Sequence, residues 1–546
     1  MERNERLNGL PDHLLLEILS LLPLKTAIAT AVLSRRWRWM WTHLTDINID
    51  ITSYPTYTHP NSLGNVRSLV QNVLPKLASS PFIRNLSFHL RYDGFENHDQ
   101  DNKGEDKYNT DNIVSWYDWA SLHKNHLRKL RVLLDPHVPG MSFPVPPLWI
   151  FQTPSLEVLQ LTPMWFILDN DHDHVKYRNS SFHLPNLKKL FVNLCCHDPW
   201  ILEKLVSSSP SLEILYCSII SRPAVNDNPI IVNLSSRNLK RLEMQLYNPT
   251  DLVIDAPKLE YLSFHANKYG YYKMLSSYKI SFVDSPTALL TCSISPWTDH
   301  HGRDIFLPSN LFTVISGVRS LTTADQNPTP FIASTITFSC LTHLLFLVRR
   351  DLNGLALLQQ CPVLEVLTFD LSEYLQPTKH NWSLPDSAPQ CLVTHVKRIE
   401  ILAHRFVVGL EDMLLPLLSY LLGNAEVLEL LKFTISPPRR DVTGYSSANY
   451  NELHLIKELF KVPRSSPQSQ VEFYSPDRSV LAKKVVKDDS CQPTPNQFVI
   501  NALIFGLAMG EKKGQKKQEF LWKSISILDF MPWRGLEPPR SLARGF

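Results

Sequence analysis

Glycine is scarce in this chain, with 17 residues in 546, and no GxxxxGK[ST] loop, GxGxxG turn or GxSxG elbow can be assembled from them. This excludes the phosphate-cradling loops of nucleotide-driven and dinucleotide enzymes, and a serine hydrolase of the elbow type. Net charge is nearly absent too. Fifty-five Lys and Arg against 52 Asp and Glu leave +3, far below the basic excess of a phosphate-tracking surface, so no nucleic acid is expected as principal partner. The eight cysteines form no CxxC pair, which removes a zinc ribbon or a disulfide framework and fits a reducing compartment. The longest apolar run, Phe498 to Met509, is too short to cross a bilayer. Met1 to Gly9 is polar where a secretory signal needs an apolar core. These features predict a soluble chain of the cytoplasm or nucleus with no membrane partner.

What is present is apolar: 44% of all residues are apolar and 10% of all residues are aromatic, enough for one large core or several smaller ones. In the first fifty residues, Leu10-Pro11-Asp12 opens a helix with proline in its first turn and an acid at the positive end of the dipole. Pro23 closes it. Leu14, Leu15, Ile18, Leu19, Leu21 and Leu22 occupy nearly every side of that helix. The spacing of Ile28, Val32, Leu33 and Trp37 predicts a second helix from about Thr26 to Trp41. Two short helices cannot bury so many large side chains against each other, so part of this surface belongs to a partner.

The residues Leu10-Pro11-Asp12, Ile18-Leu19-Ser20, Leu22-Pro23 and Val32-Leu33-Ser34-Arg35-Arg36-Trp37, followed by Trp41, resemble the F-box. The resemblance implies helices that dock on a Skp-family adaptor and through it on a cullin. It also implies a receptor that selects protein substrates for a ubiquitin ligase, needs no cofactor and is not itself an enzyme. Carried over position by position, Leu10, Pro11, Ile18, Leu19, Leu22, Pro23, Val32 and Trp37 form the adaptor face or support it. The alternative is that they pack the N-terminus onto the body of the chain.

An L-x-x-L-x-L unit then recurs at Ile83, Leu127, Leu156, Leu187, Leu212, Leu239, Leu259, Leu341 and Leu364, more weakly at Leu289 and Val318, and as a variant at Val396. From residue 127 onward successive starts lie 20 to 32 residues apart, the leucine-rich-repeat period. The fold class expected is therefore α/β: a short helical F-box at residues 8–48, a connecting helical segment at 49–80, and an irregular solenoid of parallel strands with helix or loop returns at 81–390. Within the solenoid, the acidic and amide-rich segment 93–111 reads as an insertion. Ile113, Trp116, Trp119 and Ala120 beyond it fall at helical spacing.

Residues 391–435 read strand, helix, strand, with the helix over Glu411 to Leu422. This resembles the FBD segment of plant F-box/leucine-rich-repeat proteins, which implies a plant origin and a cap that closes the solenoid. Residues 436–546 read as an irregular, partly disordered tail. Its basic run at 512–517 fits a solvated segment better than a nuclear import signal.

Two clusters tempt a metal assignment. Asp169-Asn170-Asp171-His172-Asp173-His174 lacks the glycine and distal glutamate of a calcium loop and reads as a polar loop. Cys195 and Cys196 point to opposite faces of an extended segment and are poorly placed to share one ion. No metal site is expected, and no nucleophile, base and orienter can be assembled into a catalytic site. The candidate target-binding residues are those between the buried leucines on the inner face: Lys189, Phe191, Tyr216, Arg241, Glu243, Tyr261 and His265. Two readings stay open for them, recognition of a protein segment or ordinary exposed sheet. For the whole chain, a non-ligase leucine-rich-repeat scaffold or ligand sensor is the alternative.

Overall fold

In the computed structural model, the structure describes residues 9–53, 73–77, 82–92, 111–134, 145–165, 171–195, 200–220, 230–246, 250–266, 279–295, 309–325, 336–348, 354–371, 384–385, 387–404, 410–436, 459, 461–474 and 480–485. Cys196, the acidic part of the insertion and the basic run at 512–517 lie outside them.

The described residues open with two helices, α1 (Asp12–Ser20) and α2 (Leu24–Ala29). Pro11 and Pro23 stand just before them, where a missing N–H costs nothing. The single second helix expected over 26–41 is not formed. After α2 the chain tightens into a 3₁₀ turn at Thr30–Val32 and resumes as another at Trp37–His43. The break has a tertiary cause: Arg36 Nε donates to Asp12 Oδ1 at 2.9 Å and its Nη2 donates to Leu10 O at 2.6 Å, drawing the chain back to the start of α1.

The body is built on β1 (Asp46–Ser53), β2 (Asn85–Tyr92), β3 (Lys129–Leu134), β4 (Val158–Trp165), β5 (Lys189–Cys195), β6 (Ile214–Ile220), β7 (Ile230–Ser235), β8 (Arg241–Leu246), β9 (Thr250–Asp255) and β10 (Tyr261–Ala266). It continues through β11 (Lys279–Phe282), β12 (Thr291–Ser295), β13 (Ser320–Asp325), β14 (His343–Val348), β15 (Val366–Leu371), β16 (Arg398–His404), β17 (Leu430–Ser436), β18 (Gln470–Tyr474) and β19 (Val480–Val485). Sixteen of these strands form one sheet in chain order, every pair parallel until β19, which turns back antiparallel on β18. The remaining three, β7, β9 and β11, form a second parallel sheet behind β8, β10 and β12. This is the irregular parallel solenoid that the spacing predicts, with strand returns as well as helical ones.

Register explains why the leucines recur. Leu86, Leu130, Leu159, Leu190, Leu215, Leu242, Leu262, Cys292, Leu321, Leu344, Leu367, Ile399, Leu431 and Val471 stand in one continuous cross-strand row, all sealed from solvent. Each fully buried side chain of this size contributes about 1.5–3 kcal/mol, but only once its neighbours in the row are present. A second row two residues on carries the aromatics: Phe346 and Phe369 stack at 5.7 Å, and Phe433 meets Phe473 at 5.4 Å. At the residue before each strand, one carbonyl accepts two N–H groups from the next coil. Arg84 O, for example, takes Arg128 N at 2.7 Å and Lys129 N at 3.0 Å. From Arg128 to Glu260 the side chains at that position alternate in sign, and Glu157 pairs with both Arg128 and Lys188 at 3.7 Å, as Glu213 does with Lys240 at 3.5 Å.

Three further expectations need correction. The sheet begins at β1, inside what reads as the F-box boundary and connecting helical segment, because Ile47 and Ile49 alternate with polar residues and bury against the first coil. Helix α3 (Leu74–Leu77) is what is described of the helical connection. The sheet also does not stop at 435, since β18 continues in register with β17 and β19 closes the edge. The polar loop expected after residue 169 is a helix, α4 (Asp171–Asn179), held by buried Tyr177, whose hydroxyl donates to Pro146 O at 2.6 Å.

Candidate functional site

The N-terminal helices divide their apolar residues between two tasks. Leu15, Leu19, Leu24, Ala27, Trp37, Met40 and Trp41 are buried in the chain's own core. Facing outward are Leu14, Ile18, Leu21, Val32, Leu33 and Trp39, with Leu21 82% and Val32 88% exposed. Of the positions predicted for an adaptor face, Pro11, Ile18, Pro23 and Val32 are exposed, Leu10 and Leu22 are half-buried, and Leu19 and Trp37 are buried. Leu19 and Trp37 therefore hold the helices from within, and Trp41 beside them fixes its indole by donating Nε1 to Arg38 O at 3.1 Å. Leu14, Leu21, Leu33 and Trp39 join the outward set. The helix pattern alone could not sort them, because every side of α1 is apolar.

The sheet's open face gathers the second set of predicted residues. Register places Lys189, Ile214, Arg241 and Tyr261 in one row, Phe191, Tyr216, Glu243 and Ser263 in the next, and Asn193, Ser218, Gln245 and His265 in a third. Arg241 stacks over Tyr261 with its guanidinium carbon 3.8 Å from the ring centroid and donates Nε to Glu243 at 2.6 Å. Burial raises the Tyr261 hydroxyl pKa above its ordinary value, with the Glu243 carboxylate adding to the shift. Phe191 and Tyr216 approach at 6.4 Å, and His265 Nε2 lies 3.0 Å from Ser263 Oγ. All seven candidates thus share one half-open surface across four strands. The rows also extend to Lys129 and Arg131 on β3, which the sequence reading did not single out.

Among the described residues no group of His, Cys, Asp and Glu is placed to hold a metal, and no helix is long and apolar enough to cross a membrane. The Asp171–His174 part of the predicted polar cluster begins α4, and Cys195 ends β5.

An N-terminal helical unit followed by a long parallel-strand solenoid defines a leucine-rich-repeat protein with an F-box. Residues 7–42 match the F-box domain, and residues 115–287 match the family described as FBD-associated F-box protein At5g56370, LRR repeats. Similar proteins of Arabidopsis thaliana span most of the chain. F-box/FBD/LRR-repeat protein At4g26340 is 27% identical over 86% of this chain and 100% of its own length, and F-box/FBD/LRR-repeat protein At5g53840 is 28% identical over 86% and 96%. These matches support a plant F-box/leucine-rich-repeat protein with FBD-type features.

Proposed function

We propose that this protein is the substrate-recognition subunit of an SCF-type ubiquitin ligase, working in the cytoplasm or nucleus. The N-terminal helices bind a Skp-family adaptor, and the adaptor joins them to a cullin. The open face of the sheet holds the target protein. The chain performs no chemistry of its own. It raises the effective concentration of target lysines beside the ubiquitin donor by tethering both.

The observation that carries this reading is the outward row on α1 and the following 3₁₀ turn. Ile18, Leu21, Val32 and Leu33 stay exposed although the core beneath them is complete. Large apolar side chains left exposed this densely within 16 residues of chain are characteristic of an interface. Co-elution of the full chain with a Skp-family adaptor tests it: association is expected for the natural chain and lost on Ile18→Asp with Val32→Asp. An adaptor that ignored the double variant would overturn the reading and favour a scaffold.

A further inference from the structure

The open face is electrically polarised along the solenoid. Over β2 to β5, the side chains described on the open face and at the preceding positions include Arg84, Arg128, Lys129, Arg131, Lys188 and Lys189, against the single carboxylate Glu157. Over β15 to β18 the same positions carry Glu365, Asp370, Glu400, Glu429 and Glu472 against Lys397, Arg398 and Lys432. Since the whole chain carries only +3, the basic end is a local feature.

The two ends also differ in how their cations are used. At the far end Arg398 pairs with Glu400, Lys397 lies 3.9 Å from Glu365, and Lys432 sits 5.0 Å over the Tyr474 ring. At the basic end Glu157 is shared by Arg128 and Lys188. Lys129 stands between Asn85 and Val158, and Arg131 between Ser87 and Gln160, so neither has a carboxylate on an adjacent strand. Arg131 Nε is buried and meets no hydrogen-bond acceptor among the described residues. The residue as a whole is only half-buried, and a guanidinium offers several N–H donors to a carboxylate.

Two strands further on, the half-buried Phe191–Tyr216 pair offers an aromatic surface beside this charge. Asn193, on the same strand and half-buried, adds an amide to the row that follows the aromatic pair. Lys129 and Lys189 are separated by two strand spacings, about 9.6 Å, which is the span of about three extended residues.

We propose that the open face of β2 to β6 binds a short, extended acidic segment of the target protein. Carboxylates about three residues apart lie over Lys129, Arg131 and Lys189, and an apolar side chain rests on Phe191 and Tyr216. This rests on reading the sheet as the target-binding surface and names the chemistry of what it selects. A long polyanion is disfavoured by the acidic end of the same face.

The test uses the full chain in complex with a Skp-family adaptor and a fluorescent peptide of about nine residues, acidic throughout except for a central leucine. Fluorescence anisotropy should show binding that weakens as salt rises from about 0.05 M to about 0.3 M. A peptide with lysine in place of each acid should not bind. Lys129→Glu with Arg131→Glu should weaken binding about tenfold or more, and the milder Lys129→Gln with Lys189→Gln should weaken it measurably. Lys432→Glu, at the other end of the face, should leave it unchanged.

The inference is overturned if both basic-end variants bind as the natural chain does, if Lys432→Glu causes an equal loss, or if a single-stranded oligonucleotide of similar length binds more tightly than the peptide. Adaptor co-elution is read in the same samples. Absent peptide binding with the adaptor retained defeats this inference alone, whereas loss of the adaptor from the natural chain defeats the proposed function.

Discussion

Ile18 and Leu19 are neighbours in α1, yet Leu19 is sealed in the core while Ile18 is turned toward solvent. Successive helical positions are about 100° apart, enough to give adjacent residues opposite duties. Ile18→Asp is therefore expected to abolish co-elution with the adaptor while leaving the melting temperature unchanged. Leu19→Ala should cost about 2–5 kcal/mol in a urea titration, because it opens a cavity that the short helix cannot collapse. Equal loss of stability in both variants would contradict this division.

Cysteine reactivity should follow burial. The thiol of Cys391 is pushed up to about 11 by burial, and burial likewise raises Cys361 and Cys292. Cys340 is exposed. Alkylation of the folded chain at mildly alkaline pH, followed by peptide mapping, should label Cys340 and spare Cys217, Cys292, Cys361 and Cys391 until denaturant is added.

His123 gives a pH dependence of definite sign. Burial, and then the charge of His126, lowers its pKa, and its Nε2 finds no partner among the described residues. The folded state therefore holds the neutral ring more readily than the unfolded state does. The stability this contributes is present above the ordinary imidazole pKa of about 6.5 and is lost as pH falls through the folded value. Urea midpoints should decline over that range, and His123→Phe should flatten the decline.

Lys204, on the helix α5 (Trp200–Ser207), works as a peg between two coils. Its Nζ donates to Tyr177 O at 3.0 Å and Arg178 O at 2.6 Å near the end of α4, and it lies 4.8 Å from the Phe182 ring centroid. Lys204→Ala is expected to cost about 1–2 kcal/mol. Lys204→Met should recover only the packing of the stem, so its urea midpoint should fall between the two.

Removing the last strands should expose the sheet rather than shorten a tail. A chain ending at Ser436 loses Phe473 from the face of Phe433 and presents the edge of β17 to solvent. Such an edge pairs with other chains, so the truncated protein should elute as aggregates, and Phe473→Ala in the full chain should cost about 3–5 kcal/mol.

The regular part of this fold was legible because one buried residue type returns at a fixed place in each coil. Where the type changes, the signal fades. Before β18 the positions that close the coil are the buried serines Ser466 and Ser469, whose hydroxyls donate to Leu428 O at 2.6 Å and to Ser466 O at 3.0 Å. Strand β1 carries the repeat's own spacing, Leu44-x-x-Ile47-x-Ile49, with all three buried, but it lies where the F-box motif draws the reading toward helix. Helix α4 carries little apolar periodicity beyond Tyr177 and reads as loop. In the N-terminal unit the break after α2 is imposed by Arg36 reaching Asp12, a contact across 24 positions that no local pattern encodes. The candidate surface was legible as a set of residues between leucines. Its polarity was not, because Lys129, Val158 and Lys189 become neighbours only through register.

The small second sheet has a mechanical consequence. Helices packed along the back of a coil stand about 8–10 Å apart while strands on its front stand about 4.8 Å apart, and that difference in width bends the stack. Behind β8, β10 and β12 the backing is itself strand, so front and back advance by the same step. The usual cause of bending is thus missing from β7 to β12, beside the Arg241–Tyr261 stack. Under the proposed role, this is where the target-binding face should be least hollow.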